Sequence, residues 1–153
     1  MPWLNIHSLD RLDHEDVHGL QTSRWQIRDL IEQERLKGFP LENIILGGFS
    51  QGGVMALYAG LSHENSFGGI VALSSYLPLH QSFDEWRTPA NQNTEIFMAH
   101  GHYDPVLPIQ LAQMSLDLLQ SADYKIKWHD YPMGHQVCDE EIAALRKYIG
   151  DIL

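Results

Sequence analysis

The chain has 153 residues, of which 44% are hydrophobic and 20% charged, a balance that predicts one globular domain over 1–153 and excludes a disordered chain. Its formal net charge of −10 argues against a surface for nucleic acid, and no apolar run reaches the ~18 residues of a membrane-spanning helix. The single cysteine, Cys138, cannot form a disulfide within the chain. Because residues 1–10 also lack the pattern of a secretory signal, we expect a cytoplasmic protein.

Helical and strand patterns alternate along the chain. Apolar spacing predicts helices at 14–37, 51–61, 108–120 and 139–152, and short apolar or alternating runs predict strands at 44–49, 69–73, 95–99 and 124–129. The polar, proline-containing stretch 75–93 predicts an irregular excursion. This alternation is typical of a three-layer α/β fold with a mostly parallel sheet and helices on both faces.

The predicted strands differ in their burial. The run from Ile44 to Phe49 is apolar on both faces, and so is 69–73, which is typical of strands buried in a parallel sheet. The run 124–129 alternates between apolar and polar residues, which predicts a partly exposed edge strand.

The strongest local signal is the G-x-S-x-G pattern of residues 48–52, which lies between a predicted strand and a predicted helix. So sharp a turn strains the backbone at Ser50, and we expect the small residues Gly48 and Gly52 to give it room. The pattern predicts that Ser50 is a nucleophile and that the backbone N–H of Gln51 faces an oxyanion. In the alternative interpretation Ser50 only caps the helix.

A serine nucleophile needs a base and a group that orients the base, and in this type of fold the order is serine, acid, histidine. Asp104 follows the strand predicted at 95–99, and His135 follows the strand predicted at 124–129. Because parallel strands end at one edge of the sheet, we expect both side chains to lie beside Ser50. The three residues thus predict a catalytic triad.

A metal site is the competing interpretation, because His100, His102 and Asp104 form the pattern H-x-H-x-D, which binds zinc in some hydrolases. Pro105 stands where a further histidine ligand would be expected. A metal site would also leave the turn around Ser50 unexplained. The sequence therefore favours the triad, with no metal.

Five segments together resemble the carboxylesterase and acyl-protein thioesterase family of the α/β-hydrolases. They are MPWLNIHSLD at 1–10, GGFSQGG at 47–53, IVALSSYLPL at 70–79, HGHYDPVLP at 100–108 and YPMGH at 131–135. The resemblance implies a nucleophile at Ser50, an orienting acid at Asp104 and a base at His135. It implies hydrolysis of ester or thioester bonds with short-to-medium acyl chains, in small molecules or acylated proteins, without a cofactor. It also places Leu77 and Trp86 in loops that line the acyl site.

The chain differs from this family in one respect, since relatives carry a longer N-terminal part with the first strands and an HGxG-type loop. That loop supplies the second oxyanion donor, whose loss costs on the order of 10²–10³ in rate. The run from Ile44 to Phe49 would then form a sheet edge, which invites pairing with another chain. We expect self-association, pairing with a separate N-terminal piece, or low stability. The alternative function is a truncated, weakly active remnant that acts as an interaction module through this edge.

Overall fold

Four parallel strands form the central sheet of the protein, whose computed structural model describes residues 16–153. The strands are β1 (Ile45–Phe49), β2 (Gly69–Leu73), β3 (Ile96–Gly101) and β4 (Ile126–Tyr131), in the spatial order β1-β2-β3-β4. In register, Phe49 pairs with Leu73, Leu73 with Ala99, and Ala99 with His129. The carboxyl ends of all four strands therefore meet at one edge, where open parallel sheets bind ligands.

Helices cover both faces of this sheet. The helices are α1 (Val17–Leu36), α2 (Gln51–Leu61), α3 (Phe83–Trp86), α4 (Ile109–Ser121) and α5 (Asp139–Ile152), and short 3₁₀ turns span Leu41–Asn43, His80–Ser82 and Pro89–Asn91. Within residues 16–153, no helix combines the length and apolar character needed to cross a bilayer.

The alternation of side chains along the strands divides the core into two halves. Ile70 and Met98 pack with Leu57 of α2 and Leu119 of α4 on one face. Val71, Leu73, Phe97 and Ala99 pack with Tyr148 of α5 on the other face. Helix α1 packs against α2. The predicted three-layer α/β fold with a parallel sheet is confirmed.

The predicted elements are all present; the ends of α2, β2 and α5 match the prediction, and those of the other elements shift by a few residues. Helix α1 begins at Val17 because the side chain of Asp16 accepts a hydrogen bond from the N–H of Gly19 at 2.8 Å. Residues 14 and 15 of its predicted span, and the segment 1–10, lie outside the described residues. Strands β3 and β4 continue two residues beyond their predicted ends, because His100 and Asp130 pair across the ladder despite their polar side chains.

The prediction that the run from Ile44 to Phe49 is buried on both faces is wrong. Strand β1 pairs with β2 and lies at an edge of the described sheet, where Gly47 and Phe49 are exposed. Strand β4 forms the opposite edge, as its alternating pattern predicts. The edge position of β1 agrees with what the resemblance implies.

Candidate active site

The turn between β1 and α2 holds Ser50 in a strained conformation, with φ 57° and ψ −120°. The N–H of Ser50 donates to the carbonyl of Leu73 at 2.7 Å, and its carbonyl accepts from the N–H groups of Gly53 and Val54. These backbone bonds fix the strained turn. The Oγ of Ser50 makes no capping bond to α2, so the alternative interpretation of Ser50 as a helix cap is wrong.

Two glycines of the motif have different roles in this turn. A Cβ on Gly48 would overlap the carbonyl group of Gly52, whereas a Cβ on Gly52 would meet no described atom within 4 Å. The prediction that both glycines make room for the turn is therefore right for Gly48 and wrong for Gly52. Gly48 must lack a side chain because the backbone of Gly52 passes directly over it.

The acid loop after β3 fixes Asp104 through its own backbone. One carboxylate oxygen, Oδ1, accepts hydrogen bonds from the N–H groups of Val106 and Leu107, both at 2.9 Å. This is a local turn of the kind that aspartate favours. The side chain is fully buried, and its second oxygen, Oδ2, faces His135.

The loop after β4 brings His135 between the acid and the serine. Its Nδ1 lies 2.6 Å from Oδ2 of Asp104, and its Nε2 lies 3.0 Å from Oγ of Ser50. The ring packs against Phe49 with a centroid distance of 4.8 Å, and its side chain is 17% exposed. A water-accessible but oriented imidazole is what a general base requires.

A glycine on β3 allows the two loops to approach each other. A Cβ on Gly101 would overlap the carbonyl oxygens of Met133 and Gly134. The N–H of Tyr103 donates to the carbonyl of Met133 at 3.0 Å, which ties the acid loop to the histidine loop. The separation of Asp104 and His135 is therefore set by backbone contacts.

The hydrogen-bond partners assign the proton on His135. A carboxylate only accepts, so Nδ1 carries the proton and donates it to Asp104. The lone pair of Nε2 then faces the hydroxyl of Ser50 and can take its proton. The structure thus brings together the three residues of the predicted triad in the order that proton transfer requires.

Of the three side chains in the alternative metal pattern, His102 is paired away from His100 and Asp104. The Nε2 of His102 lies 2.6 Å from Oδ1 of Asp130, and the Nε2 of His100 faces the carbonyl of Leu107. The hydrogen bond from His102, with a second from Trp128, lowers the pKa of Asp130. Residues 16–153 contain no group of three histidine, cysteine or acidic side chains that could hold a metal ion.

The other predicted site residues lie around the triad. Gln51 is the first residue of α2, where the N-terminal N–H groups favour negative charge. Leu77 is buried and lines a cavity of about 130 Å³ beside α4. Trp86 packs edge-on against Tyr58 and Phe83, and its indole N–H donates to the carbonyl of Leu79 at 3.1 Å.

Two residues of the site were not predicted from the sequence to act beside the triad. Phe49 is the variable residue before Ser50 in the G-x-S-x-G motif, and His100 was considered only as a metal ligand. Phe49 covers one side of the His135 ring, and His100 is buried beneath Asp104 with an Nε2–Oδ2 distance of 3.5 Å. The available signal for His100 is that this polar residue directly follows the apolar run 96–99. Such a residue requires a buried partner.

Comparisons with known proteins identify similar sequences. The model of the phospholipase/carboxylesterase family matches residues 1–153. The chain is 41% identical to acyl-protein thioesterase 1 of Neurospora crassa over 159 residues, which cover 99% of this chain and 65% of that protein. It is 36% identical to acyl-protein thioesterase 1 of Mycosarcoma maydis, covering 99% of this chain and 69% of that protein. The chain thus spans a little under two thirds of the first relative.

A solved structure extends the comparison to three dimensions. The crystal structure of Arabidopsis thaliana SOBER1 superposes with a TM-score of 0.84 at 25% sequence identity, covering 90% of this chain and 66% of that one. Together with the parallel sheet described above, this likeness confirms the predicted α/β-hydrolase fold.

Proposed function

The chain belongs to the phospholipase/carboxylesterase family, and we propose that it is a serine hydrolase that cleaves carboxylic ester or thioester bonds. One observation carries the proposal: the Oγ of Ser50, the ring of His135 and the carboxylate of Asp104 form a continuous hydrogen-bonded chain with distances of 3.0 and 2.6 Å. This arrangement generates a nucleophile at neutral pH.

In the proposed acylation step, Oγ of Ser50 attacks the acyl carbonyl carbon while Nε2 of His135 takes the hydroxyl proton. Asp104 stabilises the imidazolium that forms. The tetrahedral oxyanion accepts a hydrogen bond from the backbone N–H of Gln51 at the N-terminus of α2. The C–O or C–S bond then breaks, and the proton on His135 passes to the departing alcohol or thiol. The acyl group remains on Ser50.

In the proposed deacylation step, water replaces the leaving group and reverses the proton transfers. Nε2 of His135 takes a proton from water as the oxygen attacks the acyl-enzyme carbonyl. The same nitrogen returns that proton to Oγ of Ser50 as the acyl–oxygen bond breaks. A carboxylic acid leaves, and the site returns to its starting state.

The names of the relatives favour thioesters as one substrate class, because two of them are acyl-protein thioesterases. We propose short-to-medium acyl chains, in small molecules or acylated proteins, as the substrates. Leu77 supports this proposal because it lines an apolar cavity beside α4. Trp86 packs in the core between Tyr58 and Phe83, so its contribution to an acyl site is indirect.

Hydrolysis of p-nitrophenyl esters of increasing chain length tests the proposed activity. We expect turnover that falls more than about 10³-fold in Ser50→Ala, because removal of the nucleophile leaves only binding and electrostatic effects. Ser121→Ala, an exposed serine at the end of α4, is the matched control and should retain wild-type turnover. Wild-type and Ser50→Ala protein with equal rates would refute the proposal.

A second candidate function is supported by the edge strand. β1 has exposed residues, including Phe49 at 39%, and an apolar groove of about 540 Å³ lies between β1 and the α5 residues Leu145 and Ile149. We propose that this edge pairs with a second copy of the chain. In that case the protein acts as an interaction module with weak catalysis.

A further inference from the structure

His100 is a buried histidine to which the proposed acyl transfer assigns no role. Its side chain is fully buried near the end of β3. Its Nε2 lies 2.7 Å from the carbonyl oxygen of Leu107 and 3.5 Å from Oδ2 of Asp104. In the described part of the chain, its Nδ1 is buried without a hydrogen-bond partner. The ring therefore makes its polar contacts through one atom, and both contacts lie in the acid loop.

The chemistry of the partners determines where the proton on His100 lies. A carbonyl oxygen only accepts, so Nε2 carries the proton and donates it to Leu107. Burial lowers the pKa of His100, and the positive charge that His135 can carry lowers it further, against the raising effects of the Leu107 carbonyl and Asp104. Burial therefore favours the uncharged ring, whose single N–H is directed at the acid loop.

Leu107 connects this donor to the catalytic acid. Its carbonyl accepts from His100, and its N–H donates to Oδ1 of Asp104 at 2.9 Å. Its side chain is 1% exposed and packs with Leu111 of α4. Leu107 is thus held through its carbonyl, its N–H and its side chain. The two hydrogen bonds among these contacts determine the position of the Asp104 carboxylate.

We propose that His100 is a positioning residue of the triad, whose Nε2–H fixes Leu107 and thereby directs Oδ2 of Asp104 at Nδ1 of His135. This inference rests on the proposed hydrolase function. Without the donor, the carbonyl of Leu107 is left buried and unsatisfied, and the loop must move to satisfy it. A displaced carboxylate no longer holds the imidazole in line with Ser50.

Two substitutions separate positioning from packing. His100→Leu removes the donor from the buried site, whereas His100→Gln keeps an N–H at a similar distance from the main chain. We expect kcat of His100→Leu to fall roughly 10–100-fold with KM within about twofold, because misplacement of a catalytic group affects the chemical step. His100→Gln should retain kcat within roughly threefold of the wild type.

The proton NMR resonance of the His135 Nδ1–H gives a readout that does not depend on turnover. The short bond of 2.6 Å to Asp104 shifts such a proton far downfield. We expect this resonance in the wild type and in His100→Gln, and its loss or upfield movement in His100→Leu. A merely structural role would lower the thermal stability and leave the resonance and kcat of the folded protein unchanged.

The outcomes distinguish this inference from the proposed function. Folded His100→Leu with wild-type kcat and an unshifted resonance would overturn the positioning role. If His100→Leu does not fold, His100→Asn replaces it, because the shorter amide does not reach the carbonyl of Leu107. Equal kcat values and equal resonances in His100→Asn and His100→Gln would then overturn the positioning role. A wild type without ester turnover refutes the hydrolase function, while the resonance still reports whether His100 positions Asp104.

Discussion

The backbone of Gly52 passes over Gly48 so closely that any side chain on Gly48 would overlap the Gly52 carbonyl group. This contact closes the turn that carries Ser50 at φ 57°. The two glycines are symmetric in the sequence pattern around Ser50, yet only the first is required by the described structure. Of these two glycines, Gly48 alone is needed for the close approach of the backbone in the nucleophile turn.

This asymmetry predicts opposite effects of two matched substitutions. Gly48→Ala should destabilise the protein by more than about 3 kcal/mol, because backbone must move to admit the methyl group. Gly52→Ala should leave stability unchanged or raise it by up to about 1 kcal/mol, because alanine favours the helix. Urea unfolding of both variants checks this prediction. Equal destabilisation by the two substitutions would contradict it.

Replacement of Asp104 by asparagine should stop the proton transfer without unfolding the site. The amide oxygen can still accept from Val106 and Leu107, but the amide N–H then faces His135 and forces the proton onto Nε2. We expect kcat to fall roughly 10³–10⁴-fold, as a wrong tautomer does in other triads.

Asp130→Asn is the matched control, because Asp130 also lies 2.6 Å from a histidine nitrogen, that of His102, outside the triad. Its ester turnover should stay close to wild type. A comparable loss in both variants would indicate that general damage to the strand ends, and not the tautomer of His135, determines the rate.

Glu141 predicts a pH dependence of stability. It is fully buried on α5, both of its carboxylate oxygens lack a hydrogen-bond partner in the described chain, and burial raises its pKa from 4.5 to about 7. Between pH 4.5 and 7 the unfolded state has released this proton while the folded state keeps it. The free energy of unfolding should therefore fall as pH rises through this window, by about 1–3 kcal/mol.

Urea titrations at pH 5 and pH 7.5 measure this contribution. Glu141→Gln should remove it from the pH dependence, so that the difference between the two pH values changes by about 1–3 kcal/mol relative to the wild type. Glu140→Gln is the control. Glu140 is exposed and adjacent to Glu141 in the chain, and hydrogen bonds from its own backbone N–H and from Cys138 lower the pKa of its carboxyl group. The same pH dependence in wild type and Glu141→Gln would refute the assignment.

The exposed edge of β1 predicts association that depends on protein concentration. A lysine at Ile45 places a charge in the apolar groove beside α5 and should favour the monomer, as charged residues do at natural sheet edges. Leu30→Lys on the exposed face of α1 introduces the same charge elsewhere and should leave association unchanged. Analytical ultracentrifugation compares the three proteins. A wild type that sediments as a monomer at every concentration would refute the pairing.

Local sequence patterns were sufficient to predict that Ser50, Asp104 and His135 lie close together, because each follows a predicted strand. Ser50 comes directly after β1, whereas Asp104 and His135 lie in the loops that follow β3 and β4, and parallel strands bring their carboxyl ends to one edge. The ends of α2 and α5 were also predicted to the residue, because helical periodicity and turn signals coincide there.

The remaining features depend on contacts that no local pattern contains. The role of Gly48 follows from the path of Gly52, and the donor role of His100 follows from the position of the Leu107 carbonyl. Whether β1 is exposed depends on which strands pair with it. Its apolar composition is the same whether it lies at an edge or inside the sheet, so composition does not reveal the exposure. Sequence periodicity predicts elements and their ends, and tertiary packing determines which groups meet.

Covalent labelling with a fluorophosphonate tests the central claim most directly, because the reagent phosphonylates only an activated serine and releases fluoride. Mass spectrometry of the digested protein should locate the adduct on Ser50. We expect labelling to be lost in Ser50→Ala, strongly slowed in His135→Ala and unchanged in Ser121→Ala. Folded wild-type protein that remains unlabelled, or that is labelled equally in Ser50→Ala, would contradict the account.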